Sequence, residues 1–158
     1  MKPKHYFLLS LISFLFTFFS TQAQSDISAA YTTVITGFDW GPAVNKVVLN
    51  SSIHSESLPA EDFQVLVSRS SDTAPTPPQF QSGERSVLRA FTSDEKGTYK
   101  EEGEYITLLL AVAPTNPLGS PIQYYRGETS GGNIWIDYKM TIVHVPTQSI
   151  WNTENSRI

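Results

Sequence analysis

Three observations predict an all-β fold for this chain of 158 residues. Runs of β-branched, aromatic and leucine residues recur along it, turn signals separate them about every 8–15 residues, and no amphipathic helix pattern follows residue 23. Seven to eight short strands at such spacing are typical of an antiparallel β-sandwich of immunoglobulin-like (Ig-like) type. The cysteine pair of antibody domains is absent, because the chain has no cysteine at all.

The first 23 residues have the features of a secretory signal peptide. Lys2 and Lys4 precede an uncharged run over residues 6–20, and Ala23 ends a stretch suited to cleavage. The run is shorter than the roughly 20 apolar residues that a bilayer requires, although an uncleaved anchor is the alternative. We therefore expect cleavage after Ala23, a secreted or periplasmic protein without membrane contact, and one folded domain over residues 24–146.

The charge balance of the cleaved chain argues against nucleic acid as a partner. Nine Lys and Arg residues face fifteen Asp and Glu residues, which gives a formal net charge of −6. The cationic residues are scattered singly, whereas a nucleic-acid surface concentrates them. Without cysteine the domain can form no disulfide, so its stability depends on its hydrophobic core.

The strands are expected in a definite order along the chain. Residues 34–50 form an opening hairpin, because two β-rich runs flank a turn that contains Gly41. The apolar run over residues 105–113 predicts a central strand buried on both faces. Residues 134–145 alternate with a period of two, which places the even-numbered residues in the core. The other predicted strands are residues 63–67, 86–91 and 122–125, and residues 147–158 are expected to form an irregular tail with Trp151 exposed or docked on a partner.

Two blocks of sequence resemble a known family. Residues 36–50, TGFDWGPAVNKVVLN, are similar to the start of the Ig-like N-terminal domain of bacterial EstA-type esterases. Residues 93–97, 103–110 and 118–121 with Tyr124 resemble the later strands of that domain, in the same order. The resemblance spans roughly residues 30–145. It implies an Ig-like sandwich that precedes an α/β-hydrolase domain, and it implies that none of the matched residues is catalytic. The expected partner is such a hydrolase domain or, alternatively, a second copy of this chain.

No catalytic or metal-binding pattern is recognisable in the residues themselves. The sequence contains no G-x-S-x-G nucleophile elbow, and Ser120 and Ser130 lie in stretches that are typical of turns. The acidic residues 101–104 do not have the spacing of a calcium loop, and the histidines are too few for a zinc site. Those histidines are His5, His54 and His144. We therefore expect neither enzymatic activity in this chain nor a metal or cofactor.

Five aromatic residues are candidates for either a partner-binding surface or the core: Phe38, Trp40, Tyr124, Tyr125 and Trp135. An Ig-like sandwich needs a large aromatic ring between its sheets, so we expect these rings to cap the core, with Trp40 mostly buried. The alternative is an exposed platform that stacks on sugar rings or on a protein. Two functions follow. The first is a non-catalytic module that serves assembly or positioning of a hydrolase domain or partner, and the second is a stand-alone carbohydrate- or surface-binding module.

Overall fold

The computed structural model describes residues 31–51, 53, 57–127 and 131–152, and strands dominate this part of the chain. The described residues contain no helix long and apolar enough to cross a bilayer. The predicted signal peptide, residues 1–23, lies outside them. Single-turn 3-10 helices occupy Ala60–Asp62, Pro78–Phe80 and Pro117–Gly119. The strands, in chain order, are β1 (Tyr31–Phe38), β2 (Gly41–Asn50), β3 (Phe63–Ser70), β4 (Ser82–Arg85), β5 (Val87–Ser93), β6 (Tyr105–Leu110), β7 (Ile122–Arg126), β8 (Gly131–Trp135), β9 (Asp137–His144) and β10 (Ser149–Asn152).

These strands form two four-stranded sheets and one two-stranded ribbon. The strand orders are β1-β2-β6-β5 in the first sheet and β10-β9-β3-β4 in the second, with β7-β8 as the ribbon. Every pairing is antiparallel. One apolar cluster draws side chains from both sheets, which therefore pack face to face. The predicted all-β antiparallel sandwich is confirmed, and the eight strands of the two sheets agree with the predicted seven to eight.

The centre of the second sheet follows the predicted alternation. Phe63, Val65 and Val67 of β3 are buried, and so are the even-numbered residues of β9. The predicted single strand over residues 134–145 is instead two strands, because β8 pairs with β7 and β9 pairs with β3. Alternation reports which side of a strand is buried. It carries no information on which strand is the partner, so the change of partner near Ile136 leaves no trace in the sequence.

The central position predicted for residues 105–113 is confirmed, but the strand is shorter and less buried than expected. β6 ends at Leu110 and lies between β2 and β5. Ile106, Leu108 and Leu110 point into the core, whereas Leu109 is half-buried on the outer face. Thr107 is buried on that outer face and its hydroxyl donates to the Ser93 hydroxyl.

The first sheet contains a β-bulge that explains an irregular pattern in β2. Val34 pairs with Lys46 and Ile35 pairs with Val44, so Asn45 is an extra residue on β2. The extra residue turns Val44 to the same side as Val47 and Leu49. All three side chains therefore enter the core.

Part of the segment predicted to be an irregular tail, residues 147–158, forms a strand, and residues 153–158 lie outside the described residues. Residues 149–152 form β10, which pairs with β9 between Ser149↔His144 and Asn152↔Thr141. Trp151 is buried, and its indole N–H donates to the backbone carbonyl of Asn50 at 2.8 Å. The strand is only four residues long, which is too short for a period of two to be visible.

Candidate functional site

A pair of stacked aromatic rings forms the tip of the β1–β2 hairpin. Asp39 and Trp40 make the turn, and Gly41 follows with a φ of 122°, a conformation that glycine adopts without steric cost. The Phe38 and Trp40 ring centroids are 4.8 Å apart and their planes differ by 6°. We name this pair the aromatic tip. Trp40 is 39% exposed, so the prediction that it caps the core is wrong.

The aromatic tip is exposed because its hairpin extends past the neighbouring strand. β2 pairs with β6 only from Lys46 to Asn50, so the start of β2 lies beyond the last paired residue of β6, Leu109. The large aromatic ring between the sheets is supplied by Trp151 instead, which is 3% exposed. The sandwich therefore has its core aromatic, and Trp40 is left on the surface.

The β7–β8 ribbon carries the second exposed aromatic group. Register pairs Ile122 with Trp135 and Tyr124 with Asn133, so Tyr124 and Trp135 lie diagonally on one face of the ribbon. Both side chains are 62% exposed. Tyr125 points to the other face and is half-buried. We name Tyr124 and Trp135 the ribbon face, and for these two residues the prediction of core caps is also wrong.

A buried arginine attaches the ribbon to the second sheet. Arg69, on β3, continues the inward positions of Val65 and Val67, and it is buried. Its Nε donates to the Ser120 carbonyl at 3.2 Å and its Nη2 donates to the Ile122 carbonyl at 3.1 Å. Its Nη1 donates to the Phe80 carbonyl at 3.0 Å. One guanidinium thus joins the sheet, the start of β7 and the proline-rich loop over residues 71–81.

Two further hydrogen bonds fix the proline-rich loop against β7. The Gln123 amide donates from Nε2 to the Pro75 carbonyl at 3.0 Å, and its Oε1 accepts from the Thr76 hydroxyl at 2.9 Å. Thr76 is buried although its neighbours in the loop are exposed. The loop therefore has a defined position in spite of its lack of strand pairing.

Arg85, at the end of β4, connects the two sheets through hydrogen bonds in a similar way. Its Nη2 donates to the carbonyls of Val44 at 3.0 Å and Ala111 at 2.8 Å. Its Nη1 donates to the Leu118 carbonyl at 3.1 Å and to the Tyr138 hydroxyl at 2.8 Å. Its Nε has no hydrogen-bond partner in the described part of the chain. Burial raises the pKa of Tyr138, and the charge and hydrogen bond of Arg85 oppose this, so that hydroxyl is protonated at neutral pH.

These contacts place both aromatic groups at one end of the sandwich. Val44 lies on β2, three residues after Gly41 and so close to the aromatic tip. Arg85 joins Val44 to residues 111–119, the segment that leads into the ribbon. β9 starts at this end with Asp137 and runs away from it to His144. β10 is antiparallel to β9, so it runs back toward this end from Ser149 to Asn152.

The residues considered for catalysis are not brought together. The Ser120 hydroxyl donates to the Ile122 carbonyl at 3.1 Å and accepts from the Ile122 N–H at 3.3 Å. His144 lies six residues along β9 from Tyr138, roughly 20 Å away at the usual strand rise. Ser130 and His54 lie outside the described residues. No group of three or more metal-ligating side chains occurs in the part of the chain that the structure describes.

The environment of His144 is that of a structural residue. Its Nδ1 is 2.8 Å from the Thr147 hydroxyl, and its ring packs on Phe63 with centroids 4.7 Å apart. Burial lowers the pKa of His144, and the Asp62 carboxylate partly opposes the shift. The sequence prediction of a hydrogen-bonded core histidine agrees with this geometry.

Sequence reasoning missed the two buried arginines. The burial of Arg69 could have been predicted, since Arg69 continues the alternation of Phe63, Val65 and Val67 at the next inward position. Arg85 follows no such series. Its role depends on carbonyl groups contributed by β2 and by residues 111–118, which only the fold brings together.

Comparison with known proteins identifies the domain. The crystal structure of a thermostable esterase superimposes with a TM-score of 0.54 at 16% sequence identity, over 73% of this chain and 29% of that chain. The present chain thus spans less than a third of that esterase, and the likeness shows the fold. No curated protein sequence matches the chain. The family model for the esterase Ig-like N-terminal domain matches residues 30–156, and the chain therefore belongs to this family of Ig-like domains, as the sequence resemblance implied.

Proposed function

We propose that this domain is an exported, non-catalytic module that positions or assembles an α/β-hydrolase domain, which it contacts through the end that carries the aromatic tip and the ribbon face. The observation that carries the proposal is that both exposed aromatic groups lie at the end of the sandwich toward which β10 runs. β10 runs toward this end from Ser149 to Asn152. Membership of an N-terminal domain family supports the same arrangement.

The chemistry of the aromatic groups suits a protein contact. Trp and Tyr dominate the binding energy of protein interfaces, because a rigid ring removes a large area from water at a small cost in side-chain entropy. Tyr124 and Trp135 are well exposed and Trp40 is partly exposed, and none of the three belongs to the core cluster. The stack on Phe38 holds the Trp40 ring in one orientation, which reduces the entropy lost when a partner binds.

The negative part of the proposal concerns catalysis. We expect purified residues 24–158 not to hydrolyse short-chain acyl esters above the rate in buffer. The Ser120 hydroxyl is hydrogen-bonded within its own turn, and His144, the histidine among the described residues, lies at the far end of β9. A colorimetric assay with a short-chain aryl ester tests this. Turnover that persists after purification to homogeneity, and disappears on substitution of Ser120 or Ser130 by Ala, contradicts it.

The positive part can be tested by supplying the partner in trans. An EstA-type hydrolase domain from the same organism is titrated with residues 24–158, and the dissociation constant and the melting temperature of the hydrolase are measured. We expect binding that weakens at least about tenfold in the double variant Trp40→Ala/Trp135→Ala, as loss of interface aromatics does. Tyr99→Ala is the matched control, since Tyr99 is 61% exposed but lies away from this end, beside Ser93.

Two results contradict the positioning role. One is the absence of binding and of any change in hydrolase stability. The other is equal binding by the wild type and the double variant, which moves the contact elsewhere. Sedimentation of the domain alone is measured in parallel, because self-association through the same aromatic groups would be abolished by the same double variant.

A carbohydrate- or surface-binding module is the second candidate, and the ribbon face favours it. Two exposed rings on one face of a ribbon are a platform on which sugar rings can stack. This function predicts retention on an insoluble polysaccharide that is lost in Trp135→Ala and kept in Trp40→Ala. A protein contact across the whole end predicts that each substitution weakens binding to the hydrolase domain and that neither changes retention on polysaccharide.

A further inference from the structure

A depression of about 360 Å³ lies between the proline-rich loop, the turn over residues 117–120 and β7. This volume falls at the lower end of the range for small-molecule sites. Its walls are mostly apolar, and Arg69 is among the residues that line it. The apolar wall residues are Pro75, Pro77, Phe80, Pro117, Ile122 and Tyr124.

Arg69 brings a positive charge to this depression without a carboxylate to balance it. Its side chain is only 4% exposed, and its three hydrogen bonds all go to backbone carbonyls. A guanidinium has five N–H donors, so two remain without an acceptor among the described residues. No described carboxylate forms an ion pair with it. Burial lowers the pKa of Arg69, because the charged form is solvated less well in the protein than in water.

We propose that this depression, which we name the Arg69 pocket, binds a small organic monocarboxylate whose apolar body packs on the proline and aromatic walls while its carboxylate meets the Arg69 guanidinium. The two remaining N–H donors match the two oxygens of a carboxylate. Burial of Arg69 makes such a charge pair stronger than a surface pair, because the effective dielectric constant is lower there. The proposal does not depend on a role for the domain in positioning a hydrolase.

The same features disfavour a phosphate or sulfate ion. A phosphate carries more charge and more acceptor oxygens than two N–H donors can satisfy, and its remaining oxygens would face apolar walls. A neutral amide of the same shape keeps the apolar contacts but loses the charge-assisted hydrogen bonds. The ligand class is thus defined by both parts, the single carboxylate and the apolar body.

The test follows the side-chain Nε–H signals of arginine by NMR while residues 24–158 are titrated with hexanoate at neutral pH. We expect a saturable shift of the Arg69 signal, with hexanamide and inorganic phosphate each weaker by at least about tenfold. Arg85 is an internal control. It is equally buried but does not line the pocket, so its signal should stay in place.

Variants separate binding in the pocket from adsorption elsewhere. Tyr124→Ala removes an exposed wall residue, leaves the Arg69 hydrogen bonds intact, and should weaken hexanoate binding, whereas Tyr99→Ala should not. Arg69→Lys keeps the charge but loses the planar pair of donors. In this variant the backbone amide signals of the lining residues Gln123 and Tyr124 replace the Arg69 signal, and their saturable shift with hexanoate, present in the wild type, should be lost. The proposal is overturned by a wild-type Arg69 signal that does not saturate, by equal responses to hexanoate and hexanamide, or by equal responses to hexanoate and phosphate.

Discussion

The middle of the sandwich and its ribbon end are held together by different interactions. In the middle, apolar side chains such as Val65, Leu108 and Ile142 are completely buried between the sheets. At the ribbon end, Arg69 and Arg85 donate seven hydrogen bonds, six of them to backbone carbonyls. Apolar burial needs only shape and volume, whereas the arginines also hold the proline-rich loop and residues 111–119, which lie outside the strands. Substitutions in the two regions should therefore differ in size and in how far their effects spread.

The largest effect is expected when the ring between the sheets is removed. Trp151→Ala should lower the free energy of unfolding by about 3–5 kcal/mol, because it opens a cavity and removes the hydrogen bond to Asn50. Urea titration followed by circular dichroism measures the change. Trp40→Ala is the control and should cost about 1 kcal/mol, since its ring packs on Phe38 at the hairpin tip and is not part of the core cluster. Equal losses in the two variants would show that the aromatic tip is part of the core.

The two faces of β6 give the next largest contrast. Leu108→Ala should cost about 2–5 kcal/mol, because Leu108 is fully buried against the second sheet. Leu109→Ala should cost about 1 kcal/mol, because its side chain is half-buried on the outer face and water can fill the space. Both variants are compared by thermal and urea unfolding. A larger loss for Leu109 would reverse the assignment of the faces.

Removal of a buried arginine should have a smaller but more local effect. Arg85→Met keeps much of the side-chain volume and leaves the carbonyls of Val44 and Ala111 without this donor, at a cost of about 2–3 kcal/mol. The Leu118 carbonyl keeps the hydrogen bond from the Tyr138 hydroxyl. Hydrogen exchange should speed up around residues 111–119 more than in β3. Arg89→Met, on the exposed side of β5, is the control and should change little. If Arg85→Met is more stable than the wild type, the free-energy cost of burying the guanidinium, whose Nε has no described partner, exceeds the stabilisation from its hydrogen bonds.

The same contrast decides what could be predicted from the sequence. The middle of the sandwich was predictable, because the alternation of Phe63, Val65 and Val67 states directly which side chains are buried. The ribbon end was not. The position of Trp40 depends on how far the β1–β2 hairpin extends past β6, and the role of Arg85 depends on carbonyls more than 25 residues away along the chain. β10 was missed because a four-residue strand shows no period.

The smallest effect concerns His144, at the end of the sandwich opposite the ribbon. Burial lowers the pKa of His144 below its usual 6.5, so the unfolded chain takes up a proton at a higher pH than the folded protein does. Stability contributed by the neutral ring is therefore complete above about pH 6.5 and is lost as the pH falls through the lowered value. Urea unfolding between about pH 8 and pH 5 should show this loss in the wild type.

A glutamine at position 144 separates this effect from other titrations. His144→Gln can still meet the Thr147 hydroxyl but cannot gain a proton, so the loss of stability between about pH 6.5 and pH 5 should disappear. A second loss, at lower pH, should remain in both proteins, because backbone hydrogen bonds from Thr98 and Lys96 lower the pKa of Asp94 below 3.8. That carboxylate stabilises the fold only above its lowered pKa. If His144→Gln keeps the full loss between pH 6.5 and pH 5, another group titrates there, and the ring of His144 is open to water in the folded protein.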